Sequence, residues 1–120
     1  MQVLFDQGTP VPLRRYLSNH QVATTYERGW STLRNGELLT KAEEAGYDVF
    51  VTTDRNLRYQ QNLTGRRIAI IVITTTSWPR IQKVVGTISR AVDAVETGTH
   101  VETQCHESLV LSGPWGMFDC

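Results

Sequence analysis

The sequence predicts an α/β fold, a three-layer α/β/α sandwich around a mostly parallel central sheet of about five strands. Three observations carry that prediction. Strand-like and helix-like patterns alternate along the chain. Two strand-like runs, VFV at 49–51 and IAIIVI at 68–73, are apolar without alternation, as strands buried on both faces are. Aspartates stand directly beyond the first and third strands, where an open parallel sheet presents its functional crevice.

Each element follows from local chemistry. Residues 3–5 form a short apolar run ending in Asp6, and Gly8, Thr9 and Pro10 read as turn, cap and first helical turn. The spacing of Val11, Leu13 and Leu17 predicts a helix over 10–18, with Pro12 tolerated in its first turn. QVATTY at 21–26 reads as a second strand, and 27–33 fits no single period. Asn35-Gly36 breaks the chain, after which Leu38, Leu39, Ala42 and Ala45 predict a helix over 37–45 closed by Gly46. The third strand is 49–52, a helical segment spans 55–62, and 68–73 is the central strand. Ile81, Val84, Val85, Ile88, Val92 and Val95 predict one long amphipathic helix over 78–96, ended by Gly98. A fifth strand falls at 100–104. The domain is therefore expected at 1–104, with 105–120 a tail of unknown role whose LVL and PWGMF segments fit no element.

Composition excludes several classes. A chain of 120 residues with 40% apolar and 20% charged residues is one ordinary globular domain, with no apolar run near the roughly 18 residues of a membrane span. Nothing at its start reads as a secretory signal, which predicts a cytoplasmic protein with reduced Cys105 and Cys120. GxGxxG, GxxxxGK[ST] and GxSxG motifs are absent. His20, His100 and His106 sit in no metal-ligand spacing. The net charge is zero, but the charges are segregated. Residues 55–92 carry seven bases (Arg55, Arg58, Arg66, Arg67, Arg80, Lys83, Arg90) and no acid, so a positive field begins directly after Asp54.

That juxtaposition points to phosphoryl chemistry. Mg²⁺ or Mn²⁺ takes oxygen ligands, and one or two protein carboxylates plus substrate phosphate suffice to hold it. Asp6 and Asp54 meet that minimum if their strands are neighbours. Glu37, in the first turn of its helix, is a third acid for the same crevice, and Thr52 a supporting residue beside it. With a metal so held, a phosphodiester is cut without a nucleophilic side chain. Arg55 and Arg58, with Arg14, provide a phosphate grip, and Tyr59 a face for a single-stranded base. Each residue also has a plainer reading: Asp54 as a helix cap, Asp6 as a turn residue, Glu37 as a solvated helix-start acid, the basic block as exposed helix faces.

LFDQGTP, NGELL and VTTDRNL together resemble the small stand-alone PIN-like domains, over about residues 2–104. The resemblance implies a nuclease fold acting on RNA with Mg²⁺ or Mn²⁺, often as the toxin of a toxin–antitoxin pair whose partner protein blocks the site. Two departures stand out. Asn35 and Asn56 occupy positions where such sequences often carry further acids, which leaves three carboxylates and two amides as supporting ligands and predicts weaker metal binding. Three functions follow: a metal-dependent ribonuclease, a PIN-like module that binds RNA or protein without cleavage, and a phosphoacceptor domain with Asp54 as acceptor. The last needs an acid pair after the first strand and a lysine after the fifth, and the chain has Asp6 alone and no lysine beyond Lys83. The apolar tail further predicts burial against a second copy, as a homodimer, or against a protein partner.

Overall fold

Four apolar runs pair side by side in one direction and make the centre of the molecule. The computed structural model describes residues 1–54 and 67–94, together with the backbone alone of Asn35 and of 100–105, 110–112 and 115–117. Strands β1 (Gln2–Phe5), β2 (Gln21–Thr24), β3 (Val49–Thr52) and β4 (Ala69–Ile73) are all parallel, with β1 between β2 and β3. The sheet continues through β5 (His100–Cys105), parallel to β4, then β7 (Trp115–Met117), and ends on β6 (Val110–Ser112), antiparallel to β7. The full order is β2-β1-β3-β4-β5-β7-β6. The sheet thus has seven strands where about five were expected. The two extra strands, VLS and WGM, overlap the LVL and PWGMF segments and are three residues each, too short for periodicity to reveal them.

Alternation along each strand divides the core into two halves. Val3, Phe5, Val49, Val51, Ile71 and Ile73 face one side. There they pack against Leu13, Leu17, Ile81, Ile88 and Val92. Leu4, Phe50, Ile70 and Val72 face the other, against Leu38, Leu39 and Ala42 of helix α1 (Asn35–Glu44). Every residue of β3 and β4 is buried, which is why those runs lack polar alternation. Helices on both faces of a parallel sheet are the α/β arrangement the sequence predicts.

Three helical expectations change. Residues 11–16 form a 3-10 helix (Val11–Tyr16), with i→i+3 bonds from the Leu13 amide to the Pro10 carbonyl and from Leu17 to Arg14, both 3.1 Å. Pro12 has no N–H to give, so the first turn cannot build an i→i+4 ladder. The long helix over 78–96 is two helices, α2 (Trp78–Gln82) and α3 (Val85–Ala94), joined by a tight turn in which the Val84 amide bonds the Ile81 carbonyl at 2.9 Å. The break falls at Lys83-Val84, directly before the weak helix formers Val85 and Gly86 that open α3, while Ile81, Ile88 and Val92 keep their buried face. Helix α1 begins at Asn35, so Asn35-Gly36 open the helix instead of breaking the chain. Gly46, at φ +86°, closes it as expected. The helix expected at 55–62 lies outside the described residues.

No helix among the described residues is long and apolar enough to cross a membrane. Because Ile71 is fully buried at the centre of β4, Ile71→Ala is expected to destabilise the chain by about 2–5 kcal/mol, read from the urea midpoint at unchanged slope.

Candidate functional site

The strand order reverses beside β1. The chain passes from β1 to β2 on one flank and then returns over β1 to place β3 on the other, so the switch point lies between β1 and β3. A crevice at such a point opens outside the carboxyl ends of both strands. Asp6 follows β1 and Asp54 lies two residues past β3. Their neighbouring positions rest on the parallel register Val3↔Val49 to Phe5↔Val51, which the Asp6 amide extends by bonding the Val51 carbonyl at 3.0 Å.

The Asp6 carboxylate is held from two sides. Oδ1 accepts the Thr9 amide at 3.0 Å and the Thr9 hydroxyl at 2.7 Å, closing the DQGT turn. Oδ2 accepts the hydroxyl of Thr52, the last residue of β3. The same Thr52 oxygen accepts the Asp54 amide at 3.0 Å. One buried hydroxyl therefore ties the carboxylate of the first strand to the backbone of the residue expected to be its partner. Thr9 and Thr52 are both nearly inaccessible, and Asp6 and Asp54 are half-buried. Gly8 is required by contact: a Cβ there would sit 2.3 Å from Thr53 Oγ1, so the turn can lie against the end of β3 only without a side chain.

The other expected residues divide. Glu37 lies in the first turn of α1 and is exposed. Among the described residues, no three His, Cys, Asp or Glu side chains gather as a group able to hold a metal ion, so Glu37 does not complete a cluster with Asp6 and Asp54. Arg14 sits on the 3-10 helix and is engaged by Glu27, through Nη2–Oε1 at 2.5 Å and Nη1–Oε2 at 3.3 Å. Arg55, Asn56, Arg58 and Tyr59 lie outside the described residues, as does the side chain of Asn35. The described bases of the block do not share one surface. Arg67 precedes β4 at the amino end of the sheet, where its amide bonds Glu43 at 3.0 Å, whereas Arg80 and Lys83 follow the carboxyl end of β4.

One functional feature escaped the sequence reading. After β2 the chain makes a single helical turn in which the Glu27 amide bonds Thr24 Oγ1 at 3.1 Å and the Thr24 amide bonds Glu27 Oε1 at 2.9 Å. This is a capping box, and its T-x-x-E signature was present at 24–27. The Arg14 guanidinium, then the Thr24 amide, hold the Glu27 carboxyl below its ordinary pKa. The turn leaves Tyr26 at 81% exposure.

The donor chemistry of Asp6 leaves room for a hard divalent cation. A carboxylate offers about four lone-pair sites. Asp6 uses three of them when both threonine hydroxyls point toward it, and the Thr9 proton has an alternative acceptor in the Val51 carbonyl at 3.0 Å. Asp6 thus remains able to ligate through one oxygen. Mg²⁺ and Mn²⁺ keep most of their water, so a site of this kind asks little more of the protein. Comparison with protein-family models, curated proteins and solved structures finds no match to the chain.

Thr52→Val keeps shape while removing both hydrogen bonds of the bridge. It is expected to cost about 1.5–3 kcal/mol, because a charged acceptor and a backbone amide lose their partner together. Denaturant unfolding measures the loss, and the cost should shrink in an Asp6→Asn background, where no carboxylate is left to orphan.

Proposed function

We propose that the chain is a PIN-like, metal-dependent endoribonuclease, a cytoplasmic enzyme that hydrolyses RNA phosphodiesters at the crevice between β1 and β3. The observation that supports the reading is the Thr52 bridge, which joins the Asp6 carboxylate to Asp54 at the switch point of a parallel sheet. Asp6 and Asp54 would hold Mg²⁺ or Mn²⁺. Glu37 adds negative charge from the first turn of α1, which starts toward the carboxyl ends of the strands because it carries the chain from β2 back to the parallel β3.

Bound there, such an ion supplies Lewis acidity toward a phosphoryl oxygen and a water of lowered pKa. The chain's own contribution is orientation. Thr9 and Thr52 fix both oxygens of Asp6, so ligand geometry is set before substrate arrives. Arg55 and Arg58, next in sequence to Asp54, grip the RNA backbone, and Arg80 and Lys83, past the carboxyl end of β4, add positive charge at that end of the sheet. A protein that covers the crevice would silence the enzyme, which fits the toxin of a toxin–antitoxin pair, and a second copy of the chain would be a further partner.

A second reading is favoured by one observation: the described acids do not gather in threes. A PIN-like module with Asn35 and Asn56 in place of acids would bind RNA or a protein partner and cut nothing. The phosphoacceptor reading shares the 2-1-3-4-5 strand order but has Gln7 where its second acid is required.

Labelled single-stranded RNA in Mn²⁺ separates these. The native chain is expected to cut it, and folded Asp6→Asn and Asp54→Asn chains to cut about 100-fold more slowly or worse. Full activity in either variant contradicts the nuclease. RNA binding in EDTA with no cleavage at any metal concentration selects the binding module.

A further inference from the structure

The 3-10 helix and α2 meet at an aromatic pair. Tyr16, the last residue of the 3-10 helix, lies 6.1 Å from Trp78, the first of α2, with the two rings tilted at 45°. Trp78 is half-buried and packs against the core cluster that includes Leu13, Ile81 and Val84, whereas Tyr16 remains 42% exposed. Tyr16 is thus a ring that reaches solvent while a buried neighbour fixes its position. A side chain already held in place loses little further freedom when a flat ligand stacks on it.

The charges on these two elements have one sign. With three residues per turn, Leu13 and Tyr16 share one ridge of the 3-10 helix, and Arg15 stands exposed on the next. On α2 and its cap, burial of Ile81 leaves Arg80 and Lys83, three residues apart, together on the outside. Neither VPLRRY nor WPRIQK contains an acid. Helix α3 beside them has one, Asp93, and His20 Nε2 engages it at 2.5 Å near the amino end of the sheet. The nearest other carboxylates lie across the 3-10 helix, where Glu27 binds Arg14 and lines a cleft together with Asp6. The 3-10 helix therefore separates an acidic flank from a basic, aromatic one. Arginine and lysine around a fixed ring complement a single-stranded nucleic acid, whose phosphates meet the cations while a base meets the ring. An acidic peptide would match the charges and leave the ring without a flat partner.

We propose that the face made by the 3-10 helix and α2 is a docking track for single-stranded RNA, with one base stacked on Tyr16 and flanking phosphates on Arg15 and Lys83. The track leads to the β1/β3 crevice. Helix α2 opens just past the carboxyl end of β4, and β4 pairs with β3, so Trp78 stands at the same end of the sheet as Asp6 and Asp54. A strand laid over the aromatic pair approaches that end from the basic side, clear of the cleft that Asp6 and Glu27 line. Because every base has a flat face, Tyr16 gives affinity without sequence preference. The inference deepens the ribonuclease reading by assigning the path of its substrate and rests on that reading for what the RNA is there for, while the binding itself requires neither a metal nor Asp6.

The test is fluorescence anisotropy of a labelled single-stranded RNA hexamer in EDTA over a salt series, with Mn²⁺-dependent cleavage of the same hexamer measured in parallel. Tyr16→Ala is expected to weaken binding about tenfold and Tyr16→Phe to stay within about twofold, because stacking uses the ring and not the hydroxyl. A chain carrying Arg15→Gln and Lys83→Gln, both at exposed positions that leave the core untouched, should show a log–log salt slope shallower by about 1.4, or about 0.7 for each phosphate contact removed. Tyr26→Ala, at the more exposed tyrosine on the acidic flank, is expected to bind as the native chain does. The proposal is overturned by a native chain that does not bind the hexamer or binds polyglutamate as tightly, by an unchanged salt slope in the double variant, or by binding lost in Tyr26→Ala and kept in folded Tyr16→Ala. Binding that depends on Tyr16, with no cleavage by the native chain, supports the track and removes the nuclease reading. Cleavage that depends on Asp6, with binding indifferent to Tyr16, Arg15 and Lys83, removes the track and keeps the nuclease.

Discussion

Burial of the parallel sheet on both faces is the constraint from which the rest follows. Val49 to Thr52 and Ala69 to Ile73 have no solvent side, so polar chemistry can appear only where the strands end. Asp6 and Asp54 accordingly stand past the ends of β1 and β3, and the order reversal at β1 leaves a crevice there. The Asp6 carboxylate sits at that crevice and does two things at once. It closes the DQGT turn through Thr9, and it latches the end of β1 to the end of β3 through Thr52.

The latch couples fold to function. Thr52 is buried as a side chain but spends its hydroxyl outside the apolar layers, receiving the Asp54 amide while donating to Asp6. Gly8 allows the turn to lie flat against Thr53. A site assembled from a turn, a strand end and one shared hydroxyl needs no long loop to hold its geometry, which suits a chain this short. The same economy explains the second flank. Arg14 and Glu27 bind each other between the 3-10 helix and the capping-box turn, so the cation is already paired with a carboxylate.

Much of this was legible in the sequence. Doubly apolar strands are visible as runs, and Asp6 and Asp54 follow them directly, so the parallel sheet, the two-sided core and the placement of both acids at strand ends could be read before any coordinates. Other features were not. Pro12 was visible, but its conversion of a helix into i→i+3 turns depends on how Leu13 and Leu17 reach the sheet. The break at Lys83-Val84 was hidden because the apolar spacing around it satisfies both one helix and two. Strands of three residues carry no period, which hid β6 and β7. Arg14 looked like a free cation because its partner, Glu27, lies 13 residues away across a turn whose T-x-x-E cap was legible and went unread.

The account's central claim is that Asp6, oriented by Thr9 and Thr52, is a metal ligand and not merely a turn residue. Electron paramagnetic resonance of Mn²⁺ titrated into the native chain and into Asp6→Asn tests it without reference to any substrate. The account predicts a bound Mn²⁺ population in the native chain that is lost in a folded Asp6→Asn chain. Equal Mn²⁺ binding by the two, or none by the native chain at millimolar metal, would contradict it and leave Asp6 as a structural latch.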